Sequence, residues 1–131
     1  MLVEHGFKAV RGALTEGRYL TFEMNGYALT NGGKTLTATK TTNAHNIKAQ
    51  RWILHQQTPG GNTFLINSAQ GNWNMTSAQG NNVFTISVLP NNAGYTLQTS
   101  IGQYVTVDGN GKVQVGSQQG AFKLFSVSYQ N

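Results

Sequence analysis

Side chains that could catalyse a reaction are few in this sequence. Its 131 residues hold four carboxylates and three histidines: Glu4, Glu16, Glu23, Asp108, His5, His45 and His55. Glycoside hydrolysis usually needs two carboxyl groups facing the scissile bond, yet Asp108 is the only acid after residue 24. Metal-assisted phosphoryl transfer needs several oxygen and nitrogen ligands, and no aspartate lies near a histidine in sequence. We therefore expect a chain that is not an enzyme and holds no metal or cofactor.

Sequence motifs for other chemistries are also missing. The chain has no Gly-any-Ser-any-Gly segment that could expose a serine nucleophile, although a Ser-His-Asp triad around Asp108 could still assemble in space. The glycine-rich segments "NGGK" and "DGNGK" are expected to be hairpin turns, because a phosphate-binding loop needs a strand before it and a helix after it. Without cysteine, the chain can form neither disulfides nor thiolate metal sites.

Aromatic and amide side chains suggest ligand binding instead. Rings can stack on the C–H faces of sugars, and a carboxylate forms strong charge-assisted hydrogen bonds with hydroxyl groups. The sequence predicts a carbohydrate site drawn from six residues: Trp73, Asn72, Asn74, Tyr104, Asp108 and Tyr27. Two alternatives stay open: the rings could pack inward between strands, and Asp108 could be a simple turn residue.

Composition limits the class of partner. The charged fraction is only 10%, and the nine basic residues, which give a net charge of +5, are scattered rather than clustered. A nucleic-acid-binding protein more often shows a dense basic stripe, so we expect no nucleic-acid partner. No apolar run approaches the roughly 20 residues of a membrane span. The glycosylation pattern Asn74-Met75-Thr76 favours a secreted, extracellular protein.

Short alternating runs bounded by glycine and asparagine predict strands throughout. We place them at residues 19–24, 27–30, 35–39, 51–56, 63–68, 73–77, 83–89, 95–99, 104–107, 113–115 and 122–129. The run at 83–89 is long enough for two strands joined by a tight bend. The prediction is therefore an all-β protein.

Three stretches of the chain resemble one another. They begin at Gly17, Gly61 and Gly94, and each runs strand, turn, aromatic residue, second strand, glycine-rich turn and third strand before a longer closing strand. We call them the first, second and third repeats. Three four-stranded units predict a β-trefoil spanning residues 17–131, preceded by an extension or linker remnant at 1–16. A β-sandwich is the alternative fold.

Gln50-Arg51-Trp52 carries a family resemblance. The Gln-any-Trp pattern, with the three repeats, resembles the ricin-type β-trefoil, whose lobes end in this triplet. The second and third repeats offer Asn82-Val83-Phe84 and Ala121-Phe122-Lys123, which do not match. The early acidic residue of that family's sugar site is also missing. We expect Trp52 to be a core residue and Gln50 to bind backbone between strands.

The first repeat and the segment before it also resemble the C-terminal domain of fungal secreted phosphoesterases of the phospholipase C type. This resemblance implies an accessory domain of a larger secreted fungal enzyme. Two functions follow as hypotheses. The chain could be a lectin-like module that binds a polysaccharide or other glycan. Alternatively, it could be a structural domain that packs on the parent catalytic domain or on a lipid surface without binding sugar.

Overall fold

The computed structural model describes residues 2–4, 19–41 and 48–127. Strands dominate these residues, and two single-turn 3₁₀ helices, Lys48–Gln50 and Pro90–Asn92, are the only helical segments among them. The strands are β1 Leu2–Glu4, β2 Tyr19–Met24, β3 Tyr27–Asn31, β4 Leu36–Lys40, β5 Trp52–Gln56, β6 Thr63–Ser68, β7 Val83–Val88, β8 Tyr95–Thr99, β9 Tyr104–Val107, β10 Val113–Gly116 and β11 Lys123–Val127. The predicted all-β class is confirmed.

Most predicted strands lie where the sequence pattern placed them, with three exceptions. β7 is one continuous strand, because its alternating buried and half-buried residues never break the twofold period. The predicted strand at 73–77 is reduced to one bridge between Asn67 and Asn74. β1, which lies in the predicted N-terminal extension, pairs with β11; residues 1 and 5–16 of that extension lie outside the described residues.

The strand pairings form a closed ring. Antiparallel pairs connect β11, β2, β5, β6, β7 and β8 in that order. The ring closes between β8 and the residue before β11, where Tyr95 and Phe122 exchange two backbone hydrogen bonds of 2.8 Å each. Closure satisfies backbone groups that an open sheet would leave at its edges. The pairs β3–β4 and β9–β10 branch from this ring.

The pairing register repeats three times. In each repeat the opening strand pairs with the closing strand through two large buried side chains: Leu20 with Trp52, Phe64 with Phe84, and Tyr95 with Phe122. Phe122, not Lys123, therefore corresponds to Trp52, and Lys123 is exposed. The third counterpart of Gln-any-Trp is Gly120-Ala121-Phe122, so the alignment through Ala121-Phe122-Lys123 was wrong by one residue. A one-residue slip moves a side chain to the opposite face of a strand.

The core is built from matching layers. Each repeat contributes one buried side chain to every layer, as in Phe22, Ile66 and Leu97 of the opening strands, Leu29, Met75 and Val105 of the second segments, and Leu54, Ile86 and Leu124 of the closing strands. None of these side chains is more than 3% exposed. Because each layer is completed only by three repeats, a single repeat cannot bury its own apolar face.

Candidate functional site

The three aromatic residues of the predicted carbohydrate site do not occupy equivalent positions in their repeats. They are Tyr27, Trp73 and Tyr104. Tyr27 pairs with Met24, the last residue of the first opening strand. The corresponding pairs in the other repeats are Ser68 N–H with Trp73 O at 2.8 Å and Thr99 N–H with Gln103 O at 2.6 Å. Gln103, not Tyr104, is thus the counterpart of Tyr27 and Trp73. Tyr104 lies one residue later and faces the other side of its strand.

Trp73 faces the core. Its ring is half-buried and lies 6.0 Å from the ring of Trp52, centroid to centroid, at an interplanar angle of 54°. Trp52 itself is completely buried, and its indole Nε1–H donates to Leu29 O at 3.0 Å. The expectation that Trp52 is a core residue is confirmed, and the partly buried Trp73 ring packs against the same core.

Tyr27 is covered by the third repeat. A Cβ atom built on Gly111 would lie 2.5 Å from Tyr27 Cε1 and 2.8 Å from Cδ1. Gly111 also has a φ of +83°, which a side chain would strain. The turn that follows β9 therefore rests directly on the Tyr27 ring. This ring packs between the first and third repeats, in agreement with the alternative that the rings pack inward.

The amides around Trp73 have separate surroundings. Asn72 is exposed in the turn before Trp73, whereas Asn74 is half-buried and its Oδ1 accepts a hydrogen bond of 3.0 Å from Asn67 Nδ2. These two amides flank a ring that faces the core. The second repeat therefore contributes one exposed amide and no outward aromatic platform.

An outward aromatic surface is instead present on the third repeat. Gln98, Tyr104 and Gly116 lie opposite one another across β8, β9 and β10, and Thr106 lies opposite Gln114. Residues directly opposite in antiparallel strands share one face of the sheet. We call this surface the third-repeat face and define it by Gln98, Tyr104, Thr106, Asp108, Gln114 and Gly116. Its reverse side carries the buried Val105 and Val107.

Space remains open beside Tyr104 on this face. The Tyr104 ring is half-buried and is not among the aromatic side chains that pack against the core. A Cβ atom on Gly116, directly opposite, would meet no atom within 4 Å. The turn before β9 adds Ile101, which is 61% exposed. Open space therefore lies on the Gly116 side of a ring that is itself partly exposed.

Polar groups lie along this face. Gln98 Nε2 donates to Gly102 O at 3.1 Å, which fixes the amide beside Tyr104. Gln114 lies opposite Thr106 and is exposed, and its Nε2 lies 3.4 Å from Asp108 Oδ2. An aromatic ring with amide and carboxylate groups on the same face is a combination that the hydroxyls and C–H groups of an extended glycan can use together.

Asp108 combines a turn role with a remaining acceptor. Its Oδ1 accepts the backbone N–H groups of Asn110 and Lys112, each at 2.9 Å. These backbone donors, Lys112 first and then Asn110, with the positive charge of Lys112, hold the pKa of Asp108 below its usual value. The turn interpretation is confirmed. Oδ2 has only the long contact with Gln114, so it keeps capacity for a hydroxyl donor.

The other repeats lack an equivalent surface. Ala28 and Asn74 stand where the third repeat has Tyr104. In the first repeat, Gln50 covers this side of the hairpin, because its Nε2 donates to Thr39 Oγ1 at 2.8 Å and to Lys40 O at 3.0 Å. The expectation that Gln50 binds backbone between strands is confirmed.

Gly120 occupies the place of Gln50 in the third repeat. A Cβ atom there would lie 2.8 Å from Met24 Cε and 3.1 Å from Thr106 Cγ2, so the backbone itself closes over that end of the face. The open part of the face is consequently the end with Tyr104 and Gly116. Sequence reasoning selected Tyr104 and Asp108 but missed Gln98, Gln114 and Gly116, which strand register alone identifies.

The described residues contain no cluster of three or more histidine, cysteine or carboxylate side chains that could hold a metal ion. His5 and His45 lie outside the described residues, and His55 is exposed on β5. No helix in the described part of the chain is long and apolar enough to cross a membrane. Comparisons with protein-family models, curated proteins and solved structures each find no match.

Proposed function

We propose that this chain is a non-catalytic carbohydrate-binding module, an accessory domain of a secreted fungal enzyme, with a ricin-type β-trefoil architecture. The ring of six strands, the three matching core layers and the Gln-any-Trp triplet support the architecture. The third-repeat face is the observation that carries the function. It sets the accessible ring of Tyr104 between Gln98 and the open space at Gly116, with Asp108 and Gln114 at hydrogen-bonding distance from each other.

The chemistry of this face fits a neutral, polyhydroxylated ligand. One sugar of a glycan would stack on Tyr104 and exchange hydrogen bonds with Gln98. A neighbouring sugar of the same glycan would donate a hydroxyl to Asp108 Oδ2, which lies four residues, or roughly 13 Å, farther along the chain. Trp73 and Tyr27, which pack against the core and against Gly111, are left to a structural role. The proposed glycan site therefore has one working repeat.

A glycan array followed by affinity electrophoresis in polysaccharide gels tests this function. Tyr104→Ala should weaken retention roughly 5- to 30-fold, because stacking of one ring contributes about 1–2 kcal/mol. Asn72→Ala is the matched control, since it removes an exposed side chain outside the face. Absence of retention on every glycan, or equal retention of both variants, would rule out the proposal.

The inward packing of Trp73 on Trp52 favours a second candidate, a structural domain that packs on the parent catalytic domain or on a lipid surface. Two exposed apolar side chains, Val88 at 52% and Ile101 at 61%, are available for such contacts. Intrinsic fluorescence and light scattering can compare soluble glucans and galactans with lipid vesicles. Binding to vesicles alone, lost in a Val88→Ser and Ile101→Ser double variant, would favour this candidate over the first.

A further inference from the structure

A cavity of about 290 Å³ lies where the three repeats meet at their hairpin turns. We call it the hairpin cavity. Leu36 from β4 and Val113 and Val115 from β10 line it with apolar surface, and the turn of the second repeat contributes Ala78 and Gln79. Lys34, on the turn before β4, and three hydroxyl side chains complete the lining: Thr35, Thr76 and Ser77. None of these residues belongs to the third-repeat face.

The second repeat breaks the threefold pattern at this cavity. Leu36 pairs with Asn31 and Val113 pairs with Val107, so both stand at the start of the third strand of their repeats. The second repeat has no third strand, because its turn leads through Asn81, whose backbone O accepts from Ser77 N–H at 2.8 Å, directly into β7. It therefore contributes turn residues to the lining, where the other two repeats contribute Leu36 and Val113.

Asn81 is not among the residues that line the cavity. Its Nδ2 donates to Ser100 Oγ at 3.2 Å, and Ser77 Oγ lies 3.3 Å from its Oδ1. Its backbone N–H donates to the same Ser77 Oγ at 3.1 Å. These bonds commit the side chain to the third repeat and to its own turn.

Charge at the rim is one-sided. Lys34 is exposed and is the one charged residue that lines the cavity. The hydroxyl of Thr76, at the same rim, is already committed to Asn74 O at 2.9 Å, whereas Thr35 and Gln79 add a hydroxyl and an amide. The cavity therefore combines apolar walls with a single cation at its edge. This combination suits an amphipathic anion.

We propose that the hairpin cavity binds a small free alkyl carboxylate, with its chain against Leu36, Val113 and Val115 and its carboxylate at Lys34 Nζ. The volume lies at the lower end of the roughly 300–1,000 Å³ typical of ligand pockets, which restricts the ligand to a short chain. This binding is a second activity and does not depend on the proposed glycan site.

Titration of the full chain with sodium hexanoate, followed by ¹H–¹⁵N chemical shifts, tests the proposal. Shift changes should centre on Leu36, Ala78 and Val113. Lengthening the ligand from butanoate to hexanoate should tighten binding by up to roughly fourfold per methylene. Neutral 1-hexanol is the control ligand and should bind at least fivefold more weakly than hexanoate.

Variants separate the cavity from general electrostatic attraction. Lys34→Gln should weaken hexanoate binding at least fivefold. Lys40→Gln removes the same charge at the far end of β4, roughly 13 Å from Leu36, and should change hexanoate binding less than twofold. Ala78→Leu, at an exposed rim position, should block entry without disturbing the core. Tyr104→Ala should leave hexanoate binding unchanged.

Three results would overturn the proposal: no saturable hexanoate binding at millimolar concentration, equal weakening by both lysine variants, or hexanol binding as tight as that of hexanoate. A failure of the glycan array has no bearing on these measurements. Conversely, saturable hexanoate binding that Lys34→Gln weakens and Tyr104→Ala does not would establish the hairpin cavity as a separate site.

Discussion

Replacing Trp52 by phenylalanine tests whether the Gln-any-Trp tryptophan serves the core. The other two repeats hold Phe84 and Phe122 at the corresponding position, so a phenyl ring suits the local backbone. The substitution removes the Nε1–H donor to Leu29 O, a bond of 3.0 Å, and part of the ring that packs on Trp73.

The structure sets the expected magnitude. Trp52 is 0% exposed, so the carbonyl of Leu29 loses its indole donor in a place that water does not reach. Loss of a partner for a buried polar group costs about 1–3 kcal/mol. The smaller ring leaves unfilled volume, which adds about 1 kcal/mol. We expect Trp52→Phe to lower the free energy of unfolding by about 2–4 kcal/mol.

Equilibrium urea unfolding followed by far-ultraviolet circular dichroism measures this loss without relying on the mutated fluorophore. With a slope of about 2 kcal/mol/M, the midpoint should fall by roughly 1–2 M urea. Trp73→Phe is the matched control and should cost less, because its ring is half-buried and the described structure gives it no comparable indole hydrogen bond. A loss below 1 kcal/mol for Trp52→Phe would refute the structural role given to the indole.

Three further predictions test local features. Gly111→Ala should lower the melting temperature markedly, because the new methyl group would clash with the Tyr27 ring and the backbone has a φ of +83° there. Gly109→Ala in the same turn should be nearly neutral, since no atom lies within 4 Å of its Cβ position. Phe122→Ala should cost about 3–5 kcal/mol in chemical denaturation and Lys123→Ala less than about 0.5 kcal/mol; the reverse order would restore the rejected alignment. The pKa of Asp108 in the folded protein lies below its ordinary value of 3.8, so its ionised form stabilises the fold above pH 3.8 and this stabilisation is lost as the pH falls through the folded-state pKa. Asp108→Asn should therefore be less stable than wild type at pH 7 and should lose less stability between pH 5 and 2.

Local patterns were sufficient for the strands of the ring. The alternation at residues 63–68 and 95–99 gave β6 and β8 residue for residue, because one face of each strand is apolar and the other is polar. The segment at 73–77 also alternates, yet it has no partner strand following it in the second repeat. Strand formation there depended on a neighbour that the local sequence does not specify.

The candidate site was predicted only in part. Tyr104 and Asp108 were selected as an aromatic ring and an acid close in sequence, and they share the third-repeat face. Trp73 lies between two asparagines, a polar setting that suggests an exposed ring, but the ring packs on Trp52. The types of the neighbouring residues do not indicate which face of a strand a side chain occupies. That face depends on the pairing register, and a shift of one residue moves the side chain to the opposite face.

The sequence by itself determined the all-β class, the threefold repetition and the scarcity of catalytic groups, because alternation and composition are local properties of the chain. Tertiary structure alone decided which aromatic ring faces outward and where the repeats fail to match. Tyr104 borders open space because Gly116 lies opposite it, and the hairpin cavity lies where the second repeat has a turn in place of a third strand. Both outcomes depend on pairing and packing between residues distant in sequence.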